Sequence, residues 1–278
     1  MRQYLETLSE ILENGVERKG RNGWTRALWA KQLRFDMQEG FPAVTTKKLA
    51  FRAVVAELLW FLGMRQGRAD DKKLQELTGR STTIWTANAD ADYWVRRRRF
   101  PGDLGRIYGV QWRQWMRPDG TTVDQVAEAI RLLRTDPHDR RIMVTALNPG
   151  ELGDMALPPC HLFFHFFAAN GQLSLHMVQR SCDMFLGVPF NIASYGLLLG
   201  MVAHVTGLTP HELVITLDDA HIYRVHEDAV REQLDRDPLP LPRLSLNPRI
   251  KEIDEFGMDD IALVGYRSHS VIKAEMVV

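Results

Sequence analysis

The sequence holds only two cysteines, Cys160 and Cys182, in 278 residues, so no disulfide framework supports the fold. Each thiol is therefore either inert or chemically active. Excess charge of either sign is also missing: thirty-five Lys and Arg balance thirty-five Asp and Glu. Such a chain lacks the global field that holds a polyanion by counterion release, and no nucleic-acid partner is expected. Any anion must be held by a local cluster. No Ser/Gly-rich linker or internal repeat divides the sequence, and a single domain over residues 1–278 is expected. In the first residues Glu6 stands where a signal peptide would carry its apolar core, and Leu5, Leu8 and Leu12 recur at helical spacing, so a surface helix of a cytoplasmic protein is expected. Met184 to His211 contains no Asp, Glu, Lys or Arg, which raises the question of a membrane span. Pro189, Asn191 and His204 interrupt it, and a helix buried on all sides is expected instead.

What is present is an ordinary globular mixture, 45% hydrophobic and 25% charged. Helical periodicity covers 2–14, 50–63, 122–135, 191–206 and 222–234. Apolar, β-rich runs at 142–147, 161–167, 173–178 and 214–217 predict strands, and Asn170-Gly171 predicts a hairpin between two of them. The class expected is α+β, with a mixed or antiparallel sheet covered by helices. The run from His161 to Phe167 is apolar on both faces, so a second sheet from another copy of the chain is expected to cover one side. The expectation is a sheet-to-sheet homodimer.

Cys160 follows Leu157-Pro158-Pro159 and precedes His161, where a rigid turn enters a strand. A lone cysteine is commonly a small core hydrophobe; one at the mouth of a cleft can be a nucleophile. Arg180, at the end of the partner strand, can lie beside it and favour the thiolate, whereas Cys182 reads as structural. Arg140 and Arg141 stand on a turn between helix and strand, and Arg21 lies in a second basic loop. Each suits either solvent or an oxyanion, and with Arg180 they can make a four-arginine phosphate site. Arg96 to Arg99 reads as a solvated loop.

Longer motifs extend this reading. Leu157-Pro158-Pro159-Cys160-His161 is followed by Gln179-Arg180-Ser181-Cys182-Asp183 and then by Gly187-Val188-Pro189-Phe190-Asn191-Ile192-Ala193-Ser194-Tyr195. Gly40-Phe41-Pro42, Glu57-Leu58-Leu59-Trp60-Phe61, Gly102-Asp103-Leu104-Gly105, Tyr108-Gly109-Val110-Gln111-Trp112-Arg113 and His221-Ile222-Tyr223 accompany them. In this order, over nearly the whole chain, they resemble the folate-dependent, cysteine-using thymidylate synthases.

The resemblance implies dUMP and 5,10-methylenetetrahydrofolate as substrate and co-substrate, with no metal. It makes Cys160 the nucleophile at carbon 6 of the uracil, and Glu57 the general acid/base, in a polar network with Tyr108, His161 and Asn191. Asn191 reads the pyrimidine, since its amide offers both a donor and an acceptor to uracil. Arg21, Arg180 and Ser181 match phosphate ligands from one subunit; Arg140 and Arg141 match those supplied across the dimer interface. His221 and Tyr223 match donors to the sugar hydroxyl, and Asp219 can orient that segment. Asp183 matches contacts on both the nucleotide and folate sides. Ile84, Trp85, Leu186, Gly187 and Phe190 match the pterin side, Lys47 the anionic tail, and Met276-Val277-Val278 the closing tail.

Departures surround the site. The usual Arg-Thr-Gly-Thr-Gly loop is Arg21-Asn22-Gly23-Trp24-Thr25, the acid after the pterin-side Trp is Thr86, and His165 stands where a Gln is usual. Methylation of dUMP to dTMP is the first expectation. The second is dUMP 5-hydroxymethylation, in which water instead of hydride traps an exocyclic methylene, with Trp85 and the closing tail controlling access of water. A non-catalytic nucleotide or nucleic-acid binder is the third, although it would need neither thiol nor general base.

Overall fold

The computed structural model describes residues 1–277; Val278 of the expected closing tail lies outside the described residues. In chain order the elements begin with α1 (Arg2–Asn14), β1 (Val16–Gly20), β2 (Gly23–Asp36) and α2 (Phe51–Leu62). A segment of short pieces follows: β3 (Ala69–Asp70), α3 (Asp71–Thr78), α4 (Thr86–Ala89), α5 (Asp92–Val95), β4 (Asp103–Gly105), α6 (Gly109–Arg113), β5 (Trp115–Met116) and β6 (Thr122–Val123). Then come α7 (Gln125–Thr135), β7 (Met143–Thr145), β8 (His161–Ala169), β9 (Gln172–Asp183), α8 (Val188–Thr206) and β10 (Thr209–Tyr223). The chain closes with α9 (Glu227–Leu234), β11 (Arg243–Leu246) and β12 (Ile261–Val264).

Among the described residues the main sheet has six strands in the order β1-β2-β10-β9-β8-β7. It is mixed, because β9 and β10 are parallel while their outer neighbours pair antiparallel. Parallel neighbours need a crossover connection, and α8 supplies it. That explains a helix without charge: it lies against β9, β10, α2 and α7, and 83% of its most apolar window is buried inside the protein. Gly207, left-handed at φ 72°, ends it. The buried apolar side chains form one cluster that runs from Tyr4 in α1 to Ile272.

The Asn170-Gly171 signal gives the hairpin it predicts, with both residues at positive φ (52° and 73°) as a type I′ turn requires. Three expectations change. β1 and β2 carry no strand signal, since β1 is exposed throughout and β2 is broken by Ala30 at φ 57°; pairing with β10 holds β2, and pairing with β2 holds β1. β10 runs far beyond 214–217, from Thr209 to Tyr223, because polar Asp218, Asp219 and His221 interrupt the apolar run without ending the strand, which pairs with β2 and β9 through them. Ile222 and Tyr223 finish that strand, so the helix expected at 222–234 begins at Glu227. The α8 side of the sheet is covered. On β8 the alternate residues face the other way, and Phe167 there is 67% exposed in the single chain.

Candidate active site

The ends of β9 and β10, the start of β8 and the beginning of β2 meet at one end of the sheet. Register fixes the meeting: His161 lies opposite Gln179, His221 beside Asp183, and Tyr223 opposite Thr25. Cys160 stands at the mouth of β8, half-buried. Its carbonyl accepts the Arg180 N–H at 2.9 Å, and the Arg180 guanidinium donates to the carbonyls of Pro159 (2.9 Å) and Pro158 (3.0 Å). Arg180 thus clamps the rigid turn that presents the thiol. Burial pushes the Cys160 thiol above its ordinary range; Arg180 and the Tyr108 hydroxyl pull it back only in part. The expected thiolate-favouring effect of Arg180 is present but smaller than the desolvation. Cys182 is fully buried, its Sγ donates to the Gln179 carbonyl at 3.3 Å, and burial raises its pKa strongly.

Tyr108 approaches Cys160 from the opposite side, and its hydroxyl accepts the Cys160 backbone N–H at 2.7 Å. Glu57 projects from the apolar face of α2, where burial raises its carboxyl to about 7, against a smaller opposing effect of the Trp85 indole N–H that donates to it at 2.7 Å. Trp85 is 6% exposed and packs against Trp60, Phe61 and Tyr108. His161, T-shaped against both Tyr108 and Tyr195, is lowered by burial to about 4 and is neutral at pH 7. Asn191, near the start of α8, accepts from Gln179 Nε2 at 3.1 Å, and that same amide donates to the Ser181 carbonyl at 2.9 Å. Asn191 Oδ1 is therefore oriented by Gln179, leaving its amide nitrogen for another acceptor. Among the described residues, His161 Nδ1, Gln179 Oε1 and the Tyr195 hydroxyl are buried without hydrogen-bond partners. Three orphaned polar atoms in one place fit a polar ligand or its attendant water.

His221 and Tyr223 lie at the C-terminal end of β10. His221 Nδ1 is 3.0 Å from the Asp219 carbonyl, which can only accept, so Nδ1 carries a proton and Nε2 is left for another partner. The Asp219 carboxylate is held low by His221 and by Arg18, whose Nη1 is 2.7 Å away. Arg21 occupies a tight turn between Gly20 and Gly23 and donates to Asn22 at 2.8 Å, while Trp24 is exposed beside it. Arg140 and Arg141 lie elsewhere. The Phe166 N–H donates to the Ile142 carbonyl at 2.9 Å, so their turn meets the far end of β8. From His161 to Phe166 the strand spans roughly 17 Å at about 3.3 Å per residue. Both arginines are exposed, and Arg141 pairs with Asp139 at 2.6 Å.

On the remaining side, Asp183 Oδ1 accepts the N–H groups of Phe185 (3.0 Å) and Leu186 (3.2 Å), which shapes the turn into α8 with Gly187 and Phe190. Ile84 is 55% exposed beside buried Trp85, and Leu186 and Phe190 are half-buried, so each of the three offers apolar surface. Lys47 points inward. Its ammonium donates to the Phe185 carbonyl, sits 3.5 Å over the Phe185 ring and is lowered by burial to about 7, so contact with an anionic tail requires it to leave that position. The C-terminal segment is tied by His226 Nε2, which donates to the Glu275 carbonyl at 2.7 Å, and Val277 is half-buried. Two of the arginines in the 96–99 run are tied down: Arg97 donates to the Gly153 carbonyl, and Arg98 to Ala89 and Asp90. Among the described residues no group of His, Cys, Asp and Glu is arranged to hold a metal ion.

Sequence reasoning does not single out Gln179, Tyr195 or Arg18. Gln179 and Tyr195 lie inside quoted motifs, and only the fold turns them toward the same space; Arg18 sits on the unpredicted β1. The chain matches the thymidylate synthase family model over residues 2–278.

Proposed function

Because the chain belongs to the thymidylate synthase family, whose activity is one-carbon methylation or hydroxymethylation of the dUMP type, we propose that it methylates carbon 5 of dUMP with reduction, giving dTMP and dihydrofolate. The observation that carries the choice is Trp85, buried among aromatic rings and hydrogen-bonded to Glu57 at 2.7 Å, which keeps the reacting side of the base dry.

Cys160 adds through sulfur to carbon 6 of the uracil, which makes carbon 5 nucleophilic, and leaves again when the ring double bond is restored. Its raised pKa means that the thiol must lose its proton on substrate binding, with Arg180 and Tyr108 favouring the charged form. Asn191 accepts or donates at the base edge with its orientation set by Gln179. Glu57, at about 7, can both take and return a proton near neutrality, with water as the relay. Neutral His161 can hold that water without competing for the proton. The reduced folate supplies the one-carbon unit and, for methylation, the hydride. Its fit rests on Ile84, Trp85, Leu186 and Phe190 for the ring.

The same reading includes a homodimer. Arg140 and Arg141 lie far from Cys160 in their own chain, and the face of β8 that carries Phe167 is open, so a second copy packed sheet to sheet supplies both a cover and the missing phosphate ligands. Incubation with dUMP and methylenetetrahydrofolate tests the chemistry. The expected products are dTMP with dihydrofolate; hydroxymethyl-dUMP with tetrahydrofolate would replace the proposal by the hydroxymethylase reading, and no product would support a binder.

A further inference from the structure

Asp71, the first residue of α3, is 1% exposed, yet hydroxyl and amide groups rather than a cation satisfy it. Thr83 Oγ1 donates to Asp71 Oδ1; Thr86 Oγ1 donates to Oδ2 at 2.6 Å, and Gln75 Nε2 donates to the same oxygen at 2.8 Å. A hydroxyl that gives its proton to a carboxylate has only lone pairs left for the backbone. Both threonines use them: Thr83 Oγ1 accepts the Trp85 N–H at 3.0 Å, and Thr86 Oγ1 accepts the Thr83 N–H at 2.9 Å. The direction of each bond in the 83–86 turn therefore follows from Asp71. That turn carries Trp85 as the N-cap of α4, and the Trp85 indole N–H ends on Glu57 at 2.7 Å.

We propose that Asp71 is a positioning residue for the one-carbon transfer: through Thr83 and Thr86 it fixes the turn that carries Trp85 and so holds the indole N–H against Glu57. The proposal rests on the reading of Glu57 and Trp85 given above. It also accounts for Thr86 in place of the acid expected after the Trp, because an acid at 86 would set a second carboxylate against Asp71 Oδ2. Gly102 completes the anchor, its carbonyl accepting the Asp71 N–H at 2.9 Å. Neither Asp71 nor its two threonines touch the site directly, so their effect reaches the chemistry only through Trp85.

The test is a titration of the Glu57 carboxyl by NMR of protein labelled with carbon-13 at glutamate side-chain carboxyls, with Glu57→Gln identifying the signal. In Asp71→Asn a single carbonyl oxygen replaces two carboxylate oxygens, so one of the two threonine hydroxyls loses its acceptor, Trp85 is released, and Glu57 loses the donor that favours its charged form. The Glu57 midpoint should move up by roughly 0.5–1 pH unit. Trp85→Phe should move it equally, and adding Asp71→Asn to Trp85→Phe should move it no further. With turnover as a second readout, kcat should fall by about tenfold or more while KM for dUMP stays within about twofold. Should Asp71→Asn not fold, Thr86→Val breaks the same chain of bonds and is held to the same results. An unmoved Glu57 midpoint in a folded variant, or a shift that persists in the Trp85→Phe background, overturns the proposal. Wild-type protein without turnover would overturn the methylation reading, while the titration still decides the link from Asp71 to Glu57.

Discussion

The backbone N–H of Cys160 donates to the Tyr108 hydroxyl across 2.7 Å, joining residues 52 positions apart in the chain. The contact explains an unusual backbone. Tyr108 adopts φ 28°, ψ −92°, and the residue after it is Gly109, where a Cβ would stand 2.1 Å from the Phe61 carbonyl oxygen. A non-glycine residue at positive φ is held only by surroundings that over-determine it. Here those are α2 on one side and the nucleophile's turn on the other, with the Tyr108 ring stacked on Phe61 at 5.1 Å.

Replacing Tyr108 by Phe removes the acceptor and leaves the Cys160 N–H without it, at a cost of about 1–3 kcal/mol. The thiol also loses a hydrogen-bond partner that lowers its pKa. Alkylation of Cys160 followed against pH should show its midpoint rising further in Tyr108→Phe, with kcat reduced roughly 10- to 100-fold. A midpoint that stays in place would detach Tyr108 from the nucleophile.

Gly109→Ala places a methyl group into the Phe61 carbonyl and forces α2 away from α6. Thermal melting should show a midpoint lowered by roughly 5 °C or more. Because Glu57 rides on α2, activity should fall even at temperatures where the variant is fully folded.

Glu57 offers a test by pH. Burial raises it from 4.5 to about 7, so the folded chain holds that proton more tightly than the unfolded one does. The stability this contributes is complete below about 4.5 and is lost as pH rises through about 7. Glu57→Gln undergoes no such loss. Measured by urea denaturation, its stability relative to the original chain should climb between pH 4.5 and 7 and level off above that range. A flat difference would mean that the carboxyl titrates in its ordinary range.

The proposed sharing of Arg140 and Arg141 between subunits is tested by mixed dimers. Cys160→Ser lacks the nucleophile, and Arg140→Ala/Arg141→Ala lacks part of the phosphate site. Unfolding and refolding the two inactive variants together should restore roughly a quarter of the original activity, since half of the dimers then hold one intact site of two. Recovery near zero would place the arginines and the thiol in the same chain's site.

Much of this was legible in the residues. The Pro-Pro-Cys-His turn, the Asn170-Gly171 hairpin and the uncharged α8 carry strong local signals, and each appears in the fold as that signal requires. The β1–β2 hairpin was not legible, because β1 is exposed throughout and held only by β2, while β2 is broken by Ala30 at positive φ and held by its pairing to β10. For the same reason Arg18, paired with Asp219, has no signature of its own. Asp71 was hidden differently. An acid near the start of a short helix reads as a cap, and only the fold brings Thr83 and Thr86 onto it. Likewise the inward turn of Lys47 onto Phe185 depends on packing that no spacing encodes.

The most direct measurement follows the hydride. Methylenetetrahydrofolate carrying deuterium at the ring carbon that loses hydride on oxidation to dihydrofolate is supplied with dUMP, and the nucleotide product is weighed by mass spectrometry. The account predicts dTMP with one deuterium in its methyl group, formed together with dihydrofolate. Hydroxymethyl-dUMP free of deuterium, with the label retained on tetrahydrofolate, would contradict it.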